Sequence, residues 1–131
     1  MKNTVLLILV GLCLLLGAFG GAVAEGARTL TGEFVWTDRD RSGDLEAIFT
    51  ATGEGTWDVA FHFTFRDTPH VYSGTAEGSL SGGDLKGTVL NEDKKRTFTF
   101  SGSFKDGAFH GTHAEVEGER THATGTLTLK E

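Results

Sequence analysis

The chain has 131 residues, with 12 basic and 18 acidic side chains and a formal charge of −6 at pH 7. This acidic balance argues against nucleic acid or anionic lipid as partners, because both need a basic footprint on the protein. The sequence contains one proline, and none of its segments has the apolar spacing of an amphipathic helix.

The first 24 residues are predicted to be a secretory signal peptide. Lys2 provides a short positive region, Val5 to Leu16 form an apolar run, and Ala22-Val23-Ala24 offers a small-x-small cleavage site. The alternative is an uncleaved membrane anchor, for which the run would have to extend through several glycines. Cleavage predicts a secreted or periplasmic protein made of one domain, residues 25–131, with no integral membrane segment. Cys13 leaves with the signal, which excludes disulfides and cysteine chemistry in the mature domain.

After residue 28 apolar residues alternate with polar ones almost throughout. In WDVAFHFTF the apolar residues occupy every second position from Trp57 to Phe65, and Phe98 and Phe100 continue the pattern in RTFTFSGSF. Alternation of this kind is typical of strands with one buried face. Eight strands are predicted, near residues 29–37, 44–52, 56–66, 71–80, 84–90, 96–104, 108–116 and 120–129.

Eight short strands with tight connections predict an all-β, antiparallel meander that forms a closed or nearly closed barrel. A β-sandwich is the alternative. In strand count the prediction resembles lipocalin-like (calycin) or streptavidin-like barrels. The resemblance is one of architecture only, because the sequence carries no motif of either family, and a shared fold does not convey function.

The sequence contains an internal repeat. GSLSGGDLKGT (78–88) and GSFKDGAFHGT (102–112) share the same frame of glycines, serines and apolar residues. Each is predicted to be a hairpin with a two-residue turn, at Gly82-Gly83 and at Asp106-Gly107. This register pairs two glycines on the inward face of each hairpin, and the resulting notch is expected to accept an aromatic side chain from another strand.

The two ends of such a barrel differ in charge. Successive turns of a meander alternate between the ends, so GEG, SGG and KDG lie together, and the segments 37–44, 66–70, 91–96 and 115–120 form the other end. The latter are longer and charged, as functional loops often are. A pocket for a small ligand is therefore predicted at this end, and its candidate residues are Trp36, Phe65, Tyr72, Phe98, His113 and Glu115.

His113 and Glu115 are the polar residues predicted to point into the barrel at this end. One interpretation is that they orient a ligand. Another is that they bond to each other and plug the barrel, or that the strand frays there. A third is a small enzyme in which they act as acid and base near Tyr72.

A second motif, DRDRSGDLEAIF (38–49), resembles the start of an EF-hand-type calcium loop. Its candidate ligands are Asp38, Asp40, Ser42, Asp44 and Glu46. The twelfth position holds Phe49, which cannot replace the bidentate glutamate, and both flanks are predicted strands instead of helices. The competing interpretation is a polar turn whose aspartates cap their own backbone. A calorimetric calcium titration decides between the two, since an Asp38→Ala/Asp40→Ala variant abolishes the heat only if the segment binds the ion.

The leading functional hypothesis is an exported, non-catalytic barrel that binds a small apolar or amphipathic ligand at the charged end. The alternative is a barrel filled by its aromatic residues, with a structural role or an envelope or extracellular partner. No cofactor is required by the sequence, and calcium is the one metal that a motif indicates.

Overall fold

A computed structural model describes residues 27–131, so the predicted signal peptide lies outside the described residues. The strands are β1 (Ala27–Trp36), β2 (Arg41–Gly53), β3 (Thr56–Phe65), β4 (Thr68–Gly78), β5 (Gly83–Asn91), β6 (Arg96–Lys105), β7 (Ala108–Glu117) and β8 (Arg120–Lys130). A 3-10 turn, Thr37–Arg39, connects β1 to β2. None of the described helices could cross a membrane.

The eight strands form a closed antiparallel barrel. Each strand pairs with the next along the chain, and β8 pairs with β1 to complete the circle. The predicted up-and-down barrel is confirmed, and the sandwich alternative is wrong. Closure leaves no sheet edge with unpaired backbone groups.

The inside of the barrel follows from the alternation in the sequence. Leu30, Phe49, Leu85, Phe109 and Leu129 are at most 1% exposed, and they come from five different strands. Because successive side chains on a strand point to opposite faces, one apolar set lines the interior while the polar set faces water. This inward set supplies most of the residues of the site described below.

Two hairpin registers follow the sequence. A turn at 53–55 predicts that Val59 lies opposite Phe49, and the turn at Asp106-Gly107 predicts that Phe109 lies opposite Phe104. Both pairs form. Both turn residues have positive φ, 56° and 83°, as a two-residue hairpin turn of this kind requires.

The register of the β4–β5 hairpin differs from the prediction by two residues. Gly78 pairs with Leu85, not with Gly87. The reason is a four-residue turn, 79–82, in which the Ser79 hydroxyl accepts hydrogen bonds from the backbone N–H groups of Ser81 and Gly82. A shift of two residues keeps the same side chains inside. Gly87 still forms a notch, filled by the Phe100 ring, whose nearest atoms would lie 2.7 Å from a Cβ added there.

The register between β7 and β8 also differs. The sequence predicts a three-residue turn at 117–119 that pairs Gly111 with Gly125 and leaves Thr124 facing water. The turn instead contains two residues, Gly111 pairs with Leu127, and a β-bulge lies between His113 and Ala114. The bulge turns Thr124 into the barrel, where it is 1% exposed. A bulge can redirect a side chain in this way because it interrupts the strict alternation.

The turns 54–55, 79–82 and 106–107 lie at one end of the barrel, here called the closed end. Leu80 is buried in its turn, and the Trp57 indole donates a hydrogen bond to the Gly78 carbonyl at 3.1 Å. Both ends of the described chain also meet here, where Arg28 and Glu131 form an ion pair at 2.8 Å.

The opposite end, here called the mouth, carries the connections 37–40, 66–67, 92–95 and 118–119. They are shorter than predicted, because the strands extend into the charged segments. The two ends therefore differ in charge more than in loop length.

A candidate ligand cavity at the mouth

A cavity of about 80 Å³ lies inside the mouth half of the barrel. Its wall is almost entirely apolar and is built from Phe34, Trp36, Leu45, Phe61, Phe63, Tyr72, Val89, Phe98, Thr99, Phe100, His113 and Leu127. The closed half is filled by side chains, so the barrel is packed at one end and hollow at the other.

Four of the six residues predicted for the pocket line this cavity: Trp36, Tyr72, Phe98 and His113. The Phe98 ring contacts Trp36 at 5.4 Å and Tyr72 at 5.6 Å between centroids, both edge-to-face. Such edge-to-face contacts stabilise the positions of the three rings in the cavity wall. Phe65 and Glu115 do not line the cavity.

Phe65 and Glu115 instead lie at the rim of the mouth. Phe65 is the last residue of β3 and packs 6.2 Å from His70, centroid to centroid. Glu115 accepts two hydrogen bonds from Arg96, each 2.9 Å long. The predicted bond between Glu115 and His113 does not form, because each residue has a different partner.

Arg96 is a residue of the candidate site that the sequence did not predict. It is the first residue of β6, and its guanidinium lies 4.9 Å from the Trp36 centroid and 5.2 Å from that of Phe98. The bidentate pair lowers the pKa of Glu115, with the Arg96 hydrogen bond as the main cause. Arg96 thus covers the aromatic rim while holding Glu115 ionised. The sequence signal for this residue is its position directly before the aromatic stretch TFTF of β6.

His113 bridges the strands on either side of it. Its Nε2 lies 2.9 Å from the Val35 carbonyl oxygen, which can only accept, so Nε2 carries a proton. Burial lowers the pKa of His113, although the bond to Val35 works in the opposite direction. Nδ1 lies 2.6 Å from the Thr124 hydroxyl, and the same hydroxyl donates a hydrogen bond to the His113 carbonyl oxygen at 3.0 Å.

Tyr72 adds a polar group to the apolar wall. The residue is 7% exposed, and burial raises the pKa of its phenol, against the opposing effect of the Arg96 charge. The hydroxyl consequently stays protonated at neutral pH and can donate a hydrogen bond.

The residues of the calcium motif are spread over two elements. Asp38 and Asp40 lie in the 3-10 turn and at its end, where Asp40 adopts φ 51° and ψ 50°. Ser42, Asp44 and Glu46 occupy alternate positions of β2, so their spacing along the strand is roughly 6 to 7 Å per step. The segment does not form the twelve-residue loop of an EF-hand, and calcium binding by it stays a prediction.

Another group of potential metal ligands lies on β7 and β8. Glu115, Glu117 and His122 bring one ligand atom each within 4.8 Å of the others, and theirs is the one such group found among residues 27–131. Both Glu115 oxygens already accept bonds from Arg96, so a metal would have to compete with that ion pair.

Comparison with known proteins supports the fold. No family model matches the chain, and no curated protein matches it. Among solved structures, the siderocalin Ex-FABP, described as functioning through dual ligand specificities, is similar with a TM-score of 0.51 and 13% sequence identity. The match covers 82% of this chain and 75% of that one. The chain therefore shares its barrel fold with this siderocalin.

Proposed function

We propose that this protein is a non-catalytic binding protein that holds a small, largely apolar ligand in the mouth cavity. The observation that carries the proposal is the uneven filling of the barrel: the closed half is packed, whereas an aromatic cavity remains beneath Trp36 and Phe98. A hollow apolar site with few polar groups is the usual form of a small-molecule pocket. The similar siderocalin, described as functioning through dual ligand specificities, adds support at the level of the fold.

The polar groups at the cavity support binding over catalysis. Both ring nitrogens of His113 have hydrogen-bond partners, and both Glu115 oxygens bond to Arg96. A general acid or base needs a nitrogen or oxygen that can reach the substrate proton. Tyr72 is different, because its neutral phenol can donate a hydrogen bond to a ligand and so orient it.

The volume of the cavity limits the ligand. Pockets for drug-sized molecules measure about 300 to 1,000 Å³, so about 80 Å³ suits a body of about one aromatic ring. The small volume is also the observation that favours the second candidate function, a filled barrel with a structural role or an envelope or extracellular partner. An envelope or extracellular partner requires that the protein is exported. The signal-like sequence of residues 1–24 supports export.

The two tryptophans allow a direct test. Trp36 lines the cavity and Trp57 lies toward the closed end, so a Trp57→Phe variant reports on the cavity and a Trp36→Phe variant provides the matched control. We expect 4-nitrobenzamide or 4-nitrobenzoate, both quenchers of indole emission, to quench Trp36 saturably. Trp57 emission should fall only in proportion to quencher concentration, as in random collisions. Proportional quenching of both tryptophans would favour the filled barrel.

A further inference from the structure

The mouth carries four arginines stacked on its aromatic rim. Arg39 and Arg96 lie over Trp36, at 5.2 and 4.9 Å from the ring centroid. Arg41 and Arg66 lie over Phe65, at 5.3 and 5.4 Å. These four residues are called the arginine rim.

The arginine rim is largely unneutralised. Of its members, Arg96 alone forms an ion pair with a carboxylate among residues 27–131. Arg39, Arg41 and Arg66 are exposed to solvent. A guanidinium that stacks through its face still presents its N–H groups at its edge, in the fork that matches a carboxylate. The fork of Arg39 lies over Trp36 of the cavity wall, and those of Arg41 and Arg66 lie over Phe65 at the rim of the mouth.

These four cations lie in a protein with a formal charge of −6, and the connections at the mouth also carry carboxylates, namely Asp38, Asp40, Asp67, Glu92, Asp93 and Glu119. A neutral apolar ligand would gain nothing from a cationic rim, and a cationic ligand would be repelled by it. An anion would gain charge-assisted hydrogen bonds at the one end of the barrel where the cavity lies.

Resting on the binding function above, we propose that the ligand is a small amphipathic oxyanion. Its aromatic or apolar body occupies the cavity, and its carboxylate or similar group binds to the arginine rim, chiefly to Arg39, Arg41 and Arg66. Because Glu115 already pairs with Arg96, the Arg96 guanidinium is less available to the ligand than the other three.

The test compares three probes of one shape: 4-nitrobenzoate, neutral 4-nitrobenzamide and the cation 4-nitrobenzylammonium, each titrated against Trp36 emission in the Trp57→Phe protein. We expect the benzoate to bind about tenfold more tightly than the amide, and the ammonium to bind least. The preference should shrink when ionic strength rises from about 20 mM to about 500 mM.

Variants in the same background locate the charge. Arg41→Gln and Arg66→Gln should each reduce the preference for the benzoate severalfold, and Glu115→Gln should increase it by freeing Arg96. Lys105→Gln changes the net charge as the arginine variants do, and Glu46→Gln changes it as Glu115→Gln does. Both positions are exposed and lie outside the arginine rim, so both variants should leave the preference unchanged.

The outcomes separate the two proposals. Equal binding of benzoate and amide would overturn the oxyanion inference and leave the cavity function standing. A preference that Lys105→Gln reduces as much as Arg41→Gln does would show a general charge effect and would also overturn it. If none of the three probes quenches Trp36 saturably, both proposals are wrong.

Discussion

At the scale of single residues, His113 links the site to the stability of the barrel. Its ring bonds to Val35 on β1 and to Thr124 on β8, which joins the last strand to the first from inside. The same ring lies edge-to-face against Trp36, with centroids 6.2 Å apart. The residue proposed from the sequence as a ligand contact or a catalytic base also forms a structural bridge at the cavity wall.

The lowered pKa of His113 predicts a loss of stability in acid. Because the unfolded chain binds the proton more readily than the folded barrel does, the free energy of unfolding should fall as pH drops below the ordinary histidine pKa of 6.5. Urea unfolding between about pH 7 and pH 5 measures this slope. The slope should be smaller in a His113→Gln variant.

His110 provides the control, since it lies on the same strand but is exposed. A His110→Gln variant should keep the wild-type slope. If His110→Gln flattens the slope and His113→Gln does not, the bridge is not the source of the acid sensitivity.

At the scale of strands, the contact between β8 and β1 depends on Gly125. A Cβ added to Gly125 would collide with the Val35 carbonyl and would lie 2.8 Å from His113 Nε2. We expect Gly125→Ala to lower the free energy of unfolding by about 2 kcal/mol, as overpacking of a rigid core does. Chemical denaturation measures the change.

The neighbouring residue offers a matched substitution. Thr126 faces solvent on the same strand, so Thr126→Ala should cost less than about 1 kcal/mol. Similar losses in both variants would mean that the strand tolerates an extra methyl group at Gly125.

The strands show how far the sequence could be interpreted. All eight were predictable because an alternation of apolar and polar residues is a local signal that persists along each strand. The inward position of Thr124 was not, because the bulge that interrupts the alternation there has no signal in the sequence. The register at 79–82 was not either, because the turn capped by Ser79 shifts the pairing by two residues. A pattern of period two cannot reveal a shift of two residues.

The site was predictable to a similar degree. The inward aromatic residues Trp36, Tyr72 and Phe98 follow from parity and from position near the strand ends. The partner of Glu115 does not, since it depends on how β6 and β7 are aligned and on which side chains then lie side by side. For this reason Arg96, which holds Glu115 and covers Trp36, emerged only from the structure.

At the scale of the whole molecule, the barrel is packed in one half and hollow in the other, and paired substitutions can test this difference. Val89 lines the cavity, and Leu85, 1% exposed, lies toward the closed end on the same strand. We expect Val89→Phe to fill the cavity, abolish probe binding and leave the free energy of unfolding unchanged or higher. Leu85→Phe should lower that free energy by about 1 to 3 kcal/mol.

Thermal and urea unfolding of both variants, together with the quenching titration, measure these effects. Equal destabilisation by the two substitutions would show that the space beneath Trp36 is too small to accept a side chain, let alone a ligand.

The ion pair between Arg28 and Glu131 has a practical consequence for work with this protein. It places the two extremities of the described chain side by side at the pole opposite the arginine rim. A linker, an affinity tag or a surface attached at either extremity would leave the cavity facing the bulk solution. The same proximity suits residues 27–131 to circular permutation, with a short linker joining the segments at Arg28 and Glu131 and new termini opened at Asp106-Gly107.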